Sequence, residues 1–431
     1  MHPGSCILEL AGGLRRGEIG FGRFLRNPAV TVQALSEAAG RRTGERVQGR
    51  DILAIQDSSE IVLGGPKMRQ AGFGPVGRGG FLGGVLVHPV LAVDAASGEL
   101  VGLADIAVRN RDKPVTAHHA KRPLSQKESQ KWLKGARRAG GVLSKASGIT
   151  IVSDRESDLY ADFAGRPQNV HVPIRASANR SLANGEKLFD HAAALTEAGR
   201  ITVTIAASPG RPAREAELAL RFGPVSIKRP GRGMPMADLR QLPEAVHLHL
   251  VDAGELDAPK GMDPIHWLLL TSHVIEAFGQ ARLMLDFYRK RWIIEEFFRT
   301  LKSAGFRIED AKMSDPAAFM NFAALAAIAA VTVTQMVRAR DNPSGQLLAD
   351  AFDPDDKLLL MAICKDYEGE APTARQKNPH PPDTPAFATW VIARLGAWTG
   401  YYGKPGPATL ARGLQKYHTV KYGAKISAGF V

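Results

Sequence analysis

Cysteine is nearly absent: Cys6 and Cys364 are the only two in 431 residues. Two thiols cannot build a four-ligand zinc cluster, and they are too few for the disulfide framework of a small secreted fold; a reducing cytoplasm fits. The opening stretch, MHPGSCILELAGGLRRGE, lacks the basic start and long apolar core of a secretory signal. The histidines show no metal-ligand spacing. His118 and His119 adjoin in a basic loop, while His247 and His249 alternate with leucines, as on one face of a strand. There is no nucleophile elbow, no Ser-His-Asp signal and no internal repeat. GFGPVG, 72–77, matches GxGxxG by letter. It contains Pro75 and runs through RGG into a strand rather than a helix, so the dinucleotide-binding context is missing. The glycines between Gly64 and Gly84 read as a loop joining two strands.

Positive charge is plentiful. The net charge of +13 and isoelectric point near 9.8 suggest a polyanionic partner, nucleic acid first. Basic residues cluster at Arg41, Arg42, Arg46 and Arg50, from Lys121 to Arg138, and at Lys228, Arg229 and Arg232. Each cluster suits either phosphate contacts or a solvated face. The length fits two to four domains. Ala317 to Val337 has no charged residue over a membrane-spanning length, but it is rich in Ala and Thr and contains Asn321 and Gln335. It reads as a buried core helix starting at Ser314-Asp315-Pro316, with no membrane involved.

A second helix is expected from about Gly279 to Ser303. Tyr288, Arg291, Glu295 and Lys302 fall on one polar stripe, because offsets of +3, +7 and +14 from Tyr288 stay within about 60° of circumference, and Arg299 joins the same stripe. Ile293, Ile294, Phe297, Phe298 and Leu301 form the apolar face. Two further acids sit at strand ends. Ile52 to Ile55 reads as a short buried strand leading to Asp57, with Ser58 and Ser59 after it. Ile149 to Val152 leads to Asp154 in the string DRESD. Taken singly, each acid could be a turn residue or a helix cap.

Together these segments resemble bacterial insertion-sequence transposases of the DDE type. The helix carries Y-x2-R-x3-E-x6-K, the signature of the insertion-sequence-four family, which includes the transposon-five enzyme; IQDSS and DRES are similar to the motifs around that family's two aspartates. The resemblance implies a ribonuclease-H-like α/β core with a mixed five-stranded sheet, in which Asp57, Asp154 and Glu295 are catalytic and hold two Mg²⁺ ions, with Mn²⁺ as a substitute. Glu296 points about 100° away from Glu295 and does not fit the spacing. Tyr288, Arg291, Lys302 and Arg299 become DNA-binding residues, as do Arg155 beside the second aspartate and Arg175 in VPIRAS. Trp267, 21 residues before Tyr288, is similar in position to a tryptophan that accommodates a flipped base. Its bland alternative is a core aromatic.

The implied organisation is a shortened N-terminal DNA-end-binding region at 1–48, a catalytic core at 49–176 and 264–340, a β-rich insertion at 177–263 and a helical dimerisation region at 341–431. GGVLVHPVLAVDAASGELVG reads as a core hairpin, and TWVIARLGAWTGYYGKPGPATLARGLQKYHTVK as helical with a Gly/Pro break. Family members carry several dozen more residues before Phe21. The expected function is metal-dependent cut-and-paste transposition by a cytoplasmic, nucleoid-associated homodimer acting on terminal repeats and target DNA. Two alternatives are a catalytically silent truncated protein that inhibits transposition and a nuclease of the same fold without strand transfer.

Overall fold

The computed structural model describes residues 15–427 apart from 65–70, 112–121, 206–211, 234, 342–346, 371–372 and 374–375, together with residue 429. Cys6, His118 and His119 lie outside the described residues.

The first sheet is built around one long strand. β1 (Asp51–Gln56), β2 (Ser59–Val62), β3 (Gly74–Val76), β4 (Leu82–Asp94), β5 (Leu100–Arg109) and β6 (Gly148–Val152) belong to it. β4 pairs antiparallel with β1, β2, β3 and β5, and β1 pairs parallel with β6. The sheet is therefore six-stranded, not five-stranded. β2 and β3 add to it because β4 is long enough to pair along its whole length, and β3 forms within the glycine-rich stretch expected to be a loop. The β4–β5 hairpin follows the sequence reading.

Both faces of this sheet are covered, which explains the unbroken apolar runs in its middle strands. Leu53 and Ile55 pack into one core with Phe297, Phe319 and Leu301; Ile52 and Ala54 pack into a second with Ala136, Ala139 and Phe163. Successive strand residues point to opposite faces, so one short strand supplies both cores.

The second sheet is antiparallel, in the order β7 (Pro173–Arg175), β11 (His266–Thr271), β10 (Ala245–Glu255), β9 (Arg214–Lys228), β8 (Gly199–Ile205). The expected boundaries at 176/177 and 263/264 fall inside it. β7 and β11, read as core strands, hydrogen-bond to each other beside β10. Two isolated parallel bridges, Thr150 to His171 and Ser153 to Ile174, connect β6 with the β7 segment.

Helices α1 (Arg15–Leu25) and α2 (Val32–Arg46) precede the sheet. Thr31 caps α2 by accepting from the Ala34 amide. α2 lies on β5, where Ser36 donates to Asp105 at 2.7 Å and Thr43 to the Leu103 carbonyl at 2.8 Å. α3 (Gln130–Val142) covers one sheet face. α4 (Phe278–Lys290) and α5 (Ile293–Arg299) lead to the site, and α6 (Pro316–Asp341) follows. Asp315 caps α6 through the amides of Ala317 and Ala318. α6 is long and apolar enough to cross a membrane by length and composition, but 67% of its apolar window is buried within the protein. Its first half packs on the sheet. Its end, Val333 to Val337, joins α7 (Asp356–Glu368), α8 (Pro385–Leu395) and α9 (Pro407–Ser427) in a separate core.

Candidate active site

Parallel pairing brings the first two acids together. Ile55 lies opposite Val152, and Asp57 and Asp154 each follow two residues later, at the same ends of adjacent strands. α5 supplies Glu295. Arg291 bonds Asp57 Oδ2 at 3.1 Å and Glu295 Oε1 at 3.4 Å. Asp57 Oδ1 accepts from the Ser58 amide at 2.7 Å, and Asp154 Oδ1 accepts from the Glu156 amide at 2.7 Å. Thus Asp154 also caps a short turn, the bland role open to it from sequence, while standing beside Asp57.

Asp57 feels the charges of the other two acids. Burial, reinforced by the charges of Asp154 and Glu295, raises the Asp57 carboxyl to about 6; the Ser58 amide and Arg291 act in the other direction. Burial opposes the Arg291 charge, but Tyr288, Asp57, Glu295 and Asp154 outweigh it and raise its pKa. Carboxylates in this relation are hard oxygen donors with excess negative charge, which suits a divalent cation. Among the described residues no three carboxylate, imidazole or thiolate groups stand close enough to hold one in this conformation. Arg291 is the cation that now joins two of them.

A depression of about 380 Å³ opens here, lined by Asp57, Ser58, Ser59, Glu295, Arg299, Lys302 and Glu309. Lys302 donates to the Glu60 carbonyl at 2.8 Å and pairs with Glu309 at 3.1 Å. Arg299 is exposed on the rim, and Arg155 is exposed beside Asp154.

The expected continuous helix is divided. The Arg291 and Trp292 amides bond three residues back, to Tyr288 and Arg289, which tightens the chain between α4 and α5. Thr300–Ala304, carrying Lys302, forms a wider π turn. Tyr288 belongs to the polar stripe by periodicity but is buried, its ring 6.2 Å from that of Trp267. Arg175 donates to the His266 carbonyl at 2.9 Å, next to Trp267. The structure therefore forms two neighbourhoods: the acids with Arg291, Arg299 and Lys302, and an aromatic pair on β11 and α4 with Arg175 near it.

Asp158 has a fully buried side chain. It accepts from the Ser177 and Ala178 amides and pairs with Arg180, tying DRESD to the loop after β7. Three residues of the first basic cluster are engaged internally: Arg42 with Asp353, Arg46 with the Asp350 carbonyl and Arg50 with Asp350. The contacts of Ser58, Gln56 and His88 beneath Asp57 escaped the sequence reading. The available signal was one imidazole inside the apolar run of β4.

A family model described as the transposase DDE domain matches residues 87–332, more than half of the chain. The match contains Asp154 and Glu295, and Asp57 lies upstream of it. This chain belongs to the transposase DDE domain family.

Proposed function

We propose that this protein is a DNA transposase that moves an insertion sequence by cutting and pasting. The observation carrying the reading is that Arg291 joins Asp57 and Glu295, while Asp154 stands at the same end of the neighbouring parallel strand. A ribonuclease-H-like core is supported by the strand order β5-β4-β1-β6, its β1–β6 parallel pair and the bridges toward β7.

The family generally uses divalent metal ions. In this reading Asp57, Asp154 and Glu295 would hold two Mg²⁺ ions, which when bound activate the attacking oxygen and stabilise the leaving oxygen. Water cleaves the phosphodiester at the element's end and frees a 3′-hydroxyl. That hydroxyl attacks the opposite strand to form a hairpin, and after hairpin opening it attacks target DNA. Arg291, Arg299 and Lys302 bind phosphate near the acids, where negative charge grows in the transition state. Tyr288 and Trp267 provide an aromatic wall for an extruded base, with Arg155 and Arg175 on the flanking backbone. Residues 1–48 serve end binding, 49–176 and 264–340 form the core, 177–263 the insertion, and 341–431 the dimer contact of a cytoplasmic synaptic complex.

The test incubates the protein with Mg²⁺ and a DNA fragment carrying the repeats that flank its own locus. Hairpins or 3′-nicked ends are expected, and Asp57→Ala, Asp154→Ala and Glu295→Ala should each abolish them while leaving the DNA mobility shift. Cleavage that survives one substitution removes that residue from the triad. Cleavage without joined products favours a nuclease, and a shift without cleavage favours an inhibitor.

A further inference from the structure

β4 carries one imidazole among apolar neighbours. His88 is 3% exposed, between Val87 and Pro89. A polar ring in that place is costly unless it is hydrogen-bonded, and its two bonds both lead to residues flanking Asp57. Nδ1 lies 2.9 Å from Ser58 Oγ, and Nε2 lies 3.3 Å from Gln56 Oε1. The Gln56 oxygen can only accept, so the Nε2 proton goes to it and Nδ1 accepts from the Ser58 hydroxyl. Ser58 is consequently held from both sides, since its amide donates to Asp57 Oδ1 at 2.7 Å.

We propose that His88 is a positioning residue for the acidic site: it holds Ser58 and, through Ser58, fixes the Asp57 carboxylate. The proposal rests on the transposase reading, in which Asp57 is a metal ligand.

The packing around the ring supports the role. Trp132 of α3 meets it edge-on at 4.9 Å between centroids. Gly135, one turn further along α3, leaves room for the polar pair. A Cβ there would stand 2.5 Å from Gln56 Oε1 and 3.4 Å from His88 Nε2. Burial, with Lys131 nearby, lowers the His88 pKa to about 3. The contribution of the ring near neutral pH is therefore geometric. Asp57 Oδ2 faces Arg291, so Ser58 is the group that restrains the other oxygen.

The test measures Mn²⁺ affinity of the whole protein by electron paramagnetic resonance, with urea unfolding of each variant alongside. His88→Leu and Ser58→Ala should each weaken Mn²⁺ binding by about 10- to 100-fold, the usual effect of removing a group that orients a metal ligand. The double variant should be no weaker than the single ones, because both act through one bond. His88→Asn retains an acceptor for the Ser58 hydroxyl and should recover most of the loss. If His88→Leu fails to fold, Ser58→Ala and His88→Asn still test the link. Lost stability with native Mn²⁺ affinity would overturn the proposal, as would additive losses. Asp57→Ala separates the two levels: if it binds Mn²⁺ as tightly as the native protein, the metal-site reading falls, and the His88 proposal falls with it.

Discussion

Replacing Asp57 with asparagine is expected to stabilise the protein at neutral pH while abolishing cleavage. The Asp57 side chain is 15% exposed, and its carboxyl is raised from 3.8 to about 6, by burial first and then by Asp154 and Glu295. Keeping that group ionised at pH 7.5 costs the folded state about 3 kcal/mol, at about 1.4 kcal/mol for each pH unit. Asparagine carries no charge but can satisfy only one of the two donors now bound, the Ser58 amide or Arg291. Losing the other offsets about 1 kcal/mol, so a net gain of about 2 kcal/mol remains. The sign in pH follows from proton binding. Between about pH 4 and pH 6 the folded state holds the Asp57 proton more tightly than the unfolded chain does. Native stability therefore falls as pH rises through that window, and the Asp57→Asn variant lacks this component. Urea unfolding in EDTA at pH 7.5, 6 and 4 would show it. The variant's advantage should be largest at pH 7.5 and should vanish or reverse at pH 4. A variant less stable at pH 7.5, or a difference independent of pH, would mean that Asp57 is not destabilised by its charge in the folded state.

Arg291→Gln removes the cation bonded to Asp57 and Glu295. Mn²⁺ affinity without DNA should then rise about tenfold, as expected for a charge-assisted contact of about 1.4 kcal/mol, while affinity for the DNA end falls. Weaker Mn²⁺ binding would show that Arg291 does not compete with the ion. In α9, a Cβ on Gly413 would lie 1.8 Å from the Ile392 carbonyl oxygen, so backbone must yield. Gly413→Ala should cost about 3 kcal/mol in urea unfolding, whereas Gly423→Ala, in open space on the same helix, should gain about 0.5–1 kcal/mol. Equal effects at the two positions would argue against close α8–α9 packing.

Local pattern was enough to locate several elements. The strands before Asp57 and Asp154 are short apolar runs ended by an acid, and both are present as read. The β4–β5 hairpin, the Asp315 start of α6 and the Gly/Pro break between α8 and α9 follow from turn and cap chemistry. Each depends on residues close in sequence. The apolar face of α5 was legible for the same reason: Ile293, Ile294 and Phe297 are buried where the 3.6-residue period puts them.

Long-range packing sets what meets what. Periodicity shows that a strand is buried, but not which strand lies beside it, because ladder hydrogen bonds join residues of any separation and the pairing register is set by distant partners. Only the β1–β6 register places Asp57 beside Asp154. Tyr288 lies on the polar stripe by period, yet the fold buries it in the core beside Trp267 of β11. Arg42, Arg46 and Arg50 suit phosphate contacts or a solvated face in sequence, but the fold brings Asp350 and Asp353 to them from some 300 residues away. Local residue order sets the chemistry at strand ends and helix faces. The fold determined which of those charges share one small volume, since an electrostatic interaction depends on distance in space and burial, neither of which is a property of sequence spacing.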